Sequence, residues 1–135
     1  MKTKDVKSAL VVLFLATAMI LQAWKTTDVQ TISIKVSPNV LNLENQGEVV
    51  TIHTDIAYYL VAGSTVTLNG VPIYFWKSDD RGNFVAKFYM NAIKSLPLTI
   101  NGYNTLTLYG FTKDGGAFSG SSEIKVVQVI PKSSK

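Results

Sequence analysis

Residues 65–90 read Thr-Val-Thr-Leu-Asn-Gly-Val-Pro-Ile-Tyr-Phe-Trp-Lys-Ser-Asp-Asp-Arg-Gly-Asn-Phe-Val-Ala-Lys-Phe-Tyr-Met, and this stretch decides the fold class. Asn69-Gly70 lies between two runs of β-forming residues, and both central positions of a type I′ turn need positive φ, which Asn and Gly adopt most readily. Thr65 to Leu68 and Val71 to Trp76 are therefore predicted as the arms of a hairpin. Pro72, early in the return arm, has no N–H to give a neighbour, so that arm belongs at a sheet edge. Ser78 to Asn83 is a second turn. Beyond it Phe84, Ala86, Phe88 and Met90 alternate with Val85, Lys87 and Tyr89, a period of two that turns one face of a strand into the core.

The pattern continues in both directions. Ile32, Ile34 and Val36 alternate with Ser33 and Lys35 until Pro38-Asn39 interrupts them before Val40 to Leu43, which predicts a kinked first strand that continues on another sheet. Asn45-Gln46-Gly47 turns the chain, and Val49 to Ile56 carries Val50, Ile52 and Thr54 on one face. Asn91 to Ser95 fits one turn of helix with Asn91 as its cap. Thr105 to Tyr109 alternates with Leu106 and Leu108 inward, Lys113 to Gly116 closes a last hairpin, and Glu123 to Ile130 is the final strand; Ser119 and Ser121 read as turn residues. About seven to eight strands, with turn signals about every 8 to 12 residues, predict an all-β chain, an antiparallel immunoglobulin-like (Greek-key) β-sandwich.

The chain has 135 residues, 47% of them hydrophobic, and no cysteine. A disulfide framework, a thiolate metal site, a cysteine nucleophile and a lipid-bearing cysteine are thereby excluded, and stability rests on burial. Of the net charge of +4, Lys2, Lys4 and Lys7 less Asp5 supply +2, leaving +2 on the remainder. No stretch gathers the clustered cations that phosphate binding needs, so nucleic acid is not an expected partner.

Those three lysines precede an apolar run from Ala9 to Leu21, the basic and apolar regions of an export signal, expected as an apolar helix ahead of the domain. Cleavage after Ala23 makes residues 1–23 a signal peptide, 24–30 a polar linker, 31–130 the sandwich and 131–135 a polar tail. An uncleaved anchor is the alternative, since Ser8 to Trp24 reaches the lower length limit for a bilayer span, with Trp24 and Lys25 at the interface. Either way the domain is expected in the periplasm, on the cell surface or secreted; inner-membrane anchoring would come only through that segment.

Candidate chemistry is sparse. His53, the only histidine, reads as a half-buried strand residue, and no Gly-x-Ser-x-Gly elbow accompanies it. Asp79 and Asp80 sit together in a turn, where Asp side chains bond backbone N–H groups. Calcium is a weaker alternative there: Asp79, Asp80 and Asn83 offer oxygen ligands, but the Asp-x-Asp-x-Asp-Gly loop is absent. Neither phosphate-binding glycine motif occurs, so no catalytic residue and no cofactor is expected. Tyr74 and Trp76 lie two apart on a predicted strand and so face the same way, an aromatic surface suited to a sugar ring or a protein interface.

Ser37-Pro38-Asn39-Val40-Leu41-Asn42-Leu43 with Gly47 and the strand after it resembles the opening of small β-sandwich modules found in exported bacterial proteins. Thr65 to Gly70, Phe84 to Phe88, and above all Asp114 to Val127 are similar to the closing half of such modules. The resemblance implies an immunoglobulin-like accessory or spacer domain with no catalytic residues to carry over. The expected role is a non-enzymatic structural, adaptor or interaction subunit. Its partner would be another envelope or extracellular protein, or a second copy of itself. The alternative is a carbohydrate-binding module that holds a polysaccharide with Tyr74 and Trp76.

Overall fold

The computed structural model describes residues 28–130, so the expected export signal, its cleavage site and the tail at 131–135 lie outside the described residues. Ten strands form two sheets. They are β1 (Gln30–Thr31), β2 (Ile34–Ser37), β3 (Val40–Asn42), β4 (Val49–Ala57), β5 (Thr67–Leu68), β6 (Val71–Pro72), β7 (Phe75–Ser78), β8 (Asn83–Tyr89), β9 (Gly102–Phe111) and β10 (Ala117–Val127). A short helix α1 (Met90–Lys94) and two single 3-10 turns complete the elements. One sheet runs β1-β10-β9-β5-β6, with β3 also on β10; the other runs β2-β4-β8-β7. Pairing is antiparallel except for β1 and β3, which lie parallel to β10. The chain is thus all-β, and among the described residues no helix is long and apolar enough to cross a membrane.

The alternation read in the sequence explains the core. Val50, Ile52 and Ile56 of β4 and Phe84, Ala86 and Phe88 of β8 meet Leu106, Leu108, Phe118, Ile124 and Val126 of β9 and β10 in one buried cluster. Each of the larger of these side chains, Ala86 aside, contributes about 1.5–3 kcal/mol on burial. Thr54 is the one buried polar side chain among the described residues. Its hydroxyl donates to the Phe84 carbonyl at 2.6 Å, beside the place where β4 and β8 shift register between His53 and Ala57.

Local turn chemistry sets the connections. Asn69 and Gly70 have φ of 46° and 83°, the mirror-image geometry their residue types predict. Asn69 also extends the pairing of β5 with β9: its side chain donates to the Thr105 carbonyl at 3.1 Å and accepts the Thr107 N–H at 2.7 Å. At Ser37–Pro38, a cis peptide bond, the chain passes from β2 in the four-stranded sheet to β3 in the six-stranded one.

Several expectations need correction. The strand count rises to ten because the first strand divides into three pieces and the hairpin return into two. In that return, the Ile73 N–H donates to Val66 at 3.1 Å whereas the next N–H, of Tyr74, donates to Lys87 at 2.9 Å. The chain changes sheets between these neighbours. β10 begins at Ala117, so Ser119 and Ser121 are strand residues and not turn residues. Gly120 permits this, since a Cβ there would lie 2.7 Å from the Ile32 carbonyl oxygen, a close backbone approach that only glycine allows. The cap of α1 is Tyr89, without a side-chain bond, and not Asn91. β1 also takes in Gln30, the last residue of the expected linker.

Candidate functional site

The change of sheet at Ile73 and Tyr74 breaks the period of two on which the Tyr74 and Trp76 surface depended. Trp76 stands opposite Ala86 on β7 and packs, half-buried, against the core. Its indole covers Gly63, where a Cβ would lie 2.3 Å from the ring. Tyr74 remains 49% exposed and stacks on Tyr89, ring centres 3.9 Å apart and planes at 31°. The structure therefore pairs Tyr74 with Tyr89, from the outward row of β8, and sets Trp76 apart. Hydrogen bonding with the Tyr74 side chain, followed by desolvation, raises the Tyr89 phenol above its ordinary pKa.

Beside this pair the segment at 43–49 rises to form one wall of an open groove of about 780 Å³, whose other residues include Asn91 and Lys94. The wall is tied down along its length. Asn42 Oδ1 accepts the Glu44 N–H at 3.2 Å, the Met90 N–H donates to the Glu48 carbonyl at 2.9 Å, and Lys94 Nζ donates to the Asn45 carbonyl. Gly47 lies so close over Met90 that a Cβ would meet its Sδ at 2.9 Å. A second hollow of about 320 Å³, floored by Val71, Pro72, Ile73 and Ala92, is bounded by the same two tyrosines. Sequence reading identified Tyr74 only. Tyr89 and the wall were missed because their meeting depends on how β7 enters the second sheet, which no local signal encodes.

The acidic turn has a backbone role. Asp79 Oδ1 accepts the N–H groups of Arg81 at 2.8 Å and Asn83 at 2.9 Å. The Asn83 N–H is the main reason that the Asp79 carboxyl is held below its usual range. Asp114 has a similar place in the last hairpin, where the Thr112 hydroxyl and then the Gly116 N–H lower it. Asp80 and Asn83 flank the Asp79 cap, yet among the described residues no three His, Cys, Asp or Glu side chains gather to hold a metal ion. His53 is exposed on the outer face of β4 and not half-buried. It stands in a row with Lys35, Val85 and Lys77.

The outer faces of the two sheets differ in chemistry. That of the four-stranded sheet carries Lys35, His53, Asp55, Lys77 and the half-buried Lys87 around a buried Val85, with Phe75 and Tyr89 exposed beside Lys87. That of the six-stranded sheet shows successive cross-strand rows: Phe111 with Ala117, Tyr109 with Ser119, Thr107 with Ser121, Thr105 with Glu123, and Tyr103 with Lys125. Tyr103 is 69% exposed, Tyr109 meets Phe111 edge to face at 5.5 Å, and the Thr107 and Ser121 hydroxyls are bonded at 2.8 Å. Compared with protein-family models, curated proteins and solved structures, the chain has no match.

Proposed function

We propose that the chain is a non-enzymatic, exported module that docks another envelope or extracellular protein through the outer face of its six-stranded sheet. The observation that carries this reading is the contrast between the two faces. One carries Lys35, Asp55, Lys77 and Lys87, with its exposed aromatics, Phe75 and Tyr89, towards one end of β8; the other offers Tyr, Thr, Ser and Phe with a single cation and a single anion in its β9–β10 rows. Interface centres are depleted in charge and enriched in aromatic residues, and Tyr with Ser supplies contact area and adaptable hydrogen bonds at low entropic cost. β9 gives the patch a length of about 27 Å at the usual strand rise.

The immunoglobulin-like Greek key is part of the same proposal. The order β2-β4-β8-β7 facing β5, β9 and β10 corresponds to strands A, B, E, D against C, F, G of that architecture. Lys2, Lys4 and Lys7 before the apolar run support export. The test places a photoreactive residue at Thr107 or at Lys87 of the full-length chain in its native envelope. A single stoichiometric protein adduct from Thr107 and none from Lys87 is expected. No adduct from either position, or equal adducts from both, refutes the reading. Mass spectrometry of the same samples finds an amino terminus at Trp24 if the segment is a cleaved signal and near Met1 if it is an anchor.

A further inference from the structure

We propose that Tyr74 and Tyr89, with the wall formed by residues 44–48, bind a neutral glycan chain at a site separate from the protein-docking face. The proposal rests on the groove alone and stands whether or not that face docks a protein. It replaces Trp76 with Tyr89 as the partner of Tyr74, because Trp76 lies against the core.

Three observations point to a sugar. The first is the floor: two tyrosines whose rings lie 3.9 Å apart and tilted by 31° are still 49% and 54% exposed, so each keeps aromatic surface open to solvent. The apolar C–H face of a pyranose packs on such a surface while its hydroxyls remain available. The second is the wall. Gln46, Glu48 and Asn91 line the groove, and among the described residues their side-chain amides and carboxylate enter no hydrogen bond. Carboxamides and carboxylates offer paired acceptors and donors, which suits vicinal hydroxyls. The backbone that carries them is already fixed by the bonds to Met90 and Lys94, so little ordering is needed on binding.

The third is shape. Two hollows, of about 780 Å³ and about 320 Å³, share Tyr74 and Tyr89 as their common boundary. The larger falls within the usual range for ligand sites. A compact ligand would fill one of them; a chain of sugar units crosses the tyrosines and occupies both. Charge selects among glycans: Glu44, Glu48 and Lys94 line the groove, two carboxylates against one ammonium, and the bonds that Glu44 accepts from Gln128 and Lys94 gives to the Asn45 carbonyl leave their charges in place. Anionic polymers are repelled, which leaves neutral chains.

The test is native affinity electrophoresis of the full-length chain in mild detergent through gels containing hydroxyethylcellulose, xyloglucan, galactomannan or glycol chitin, with polygalacturonate as the anionic control. Retardation by at least one neutral polymer and none by polygalacturonate is expected. Calorimetry with a hexasaccharide of the retarding polymer then measures variants. Tyr89→Ala is expected to weaken binding about 10-fold, and Gln46→Ala and Glu48→Gln about 3-fold each, as loss of a stacking or hydrogen-bonding partner implies. Tyr103→Ala, on the docking face, leaves it unchanged. Gln46 and Glu48 are exposed loop residues, so they decide the matter if Tyr89→Ala fails to fold. The proposal is overturned if no neutral polymer retards the chain, if polygalacturonate retards it equally, or if the groove variants bind within about twofold of the parent.

Discussion

Asp79 and Asp114 show how a turn side chain becomes a condition of stability. Each carboxylate accepts hydrogen bonds that exist only in the folded chain, from Asn83 and Arg81 in one case and from Thr112 and Gly116 in the other. Both are held below the ordinary value of 3.8. A group whose folded pKa is depressed favours the folded state above its unfolded pKa, and that contribution disappears as pH falls through the folded value. Urea unfolding of the parent is therefore expected to need less denaturant at about pH 3 than at about pH 7. The double variant Asp79→Asn, Asp114→Asn keeps an acceptor oxygen at each turn but cannot titrate, so its midpoint should fall by less over the same interval. Equal falls in parent and variant would show that these carboxylates do not govern the acid response. Such turn roles are legible in sequence because donor and acceptor lie two to four residues apart.

At the scale of elements, the local conformational demands were readable and the long-range assignments were not. Asn69-Gly70 announces its turn, and Pro38 announces the break between β2 and β3, because each fixes backbone angles within the segment itself. The division of Val71 to Trp76 into β6 and β7 has no such mark. It depends on whether a given N–H finds Val66 or Lys87, and that choice is made by packing across the molecule. Ser119 and Ser121 misled for the same reason: small polar residues suit turns, yet here they face outward from a long strand whose other face holds Phe118 and Ile124. The junction of β7 with the turn at Gly63 tests this account. A Cβ at Gly63 would overlap the Trp76 ring at 2.3 Å, so Gly63→Ala is expected to destabilise by about 1–3 kcal/mol through overpacking. Removing the ring in Gly63→Ala, Trp76→Leu should recover part of that loss, a non-additive result for two residues in contact. Strict additivity in thermal unfolding would mean that the two do not meet.

For the whole molecule, the question is whether two sheets with separate hydrogen-bond ladders behave as one body. β4 and β8 pair in one sheet, β9 and β10 in the other; the first strand, divided among β1, β2 and β3, and the hairpin return, divided into β6 and β7, exchange sheets along their length. What joins them is the buried cluster in which Phe88 and Phe84 meet Leu106, Leu108 and Phe118. If that cluster governs cooperativity, a cavity cut on one side must loosen the other. Phe88→Ala removes a fully buried ring and is expected to cost about 3–5 kcal/mol. Hydrogen exchange at the protected amides of Leu106, Leu108 and Ile124, all in the opposite sheet, should then accelerate by about 10² to 10⁴, since global unfolding carries their exchange. The amide of Val71, in the two-residue edge strand β6, opens locally and should change far less. Acceleration confined to β4 and β8 would mean that the sheets unfold separately. In that event the docking face and the tyrosine pair of the glycan groove, which is carried by the four-stranded sheet, would keep independent stabilities, and a partner on one could not steady the other. A shared acceleration instead predicts that a ligand on either surface slows exchange in both sheets, because anything bound only to the folded state stabilises the whole cooperative unit.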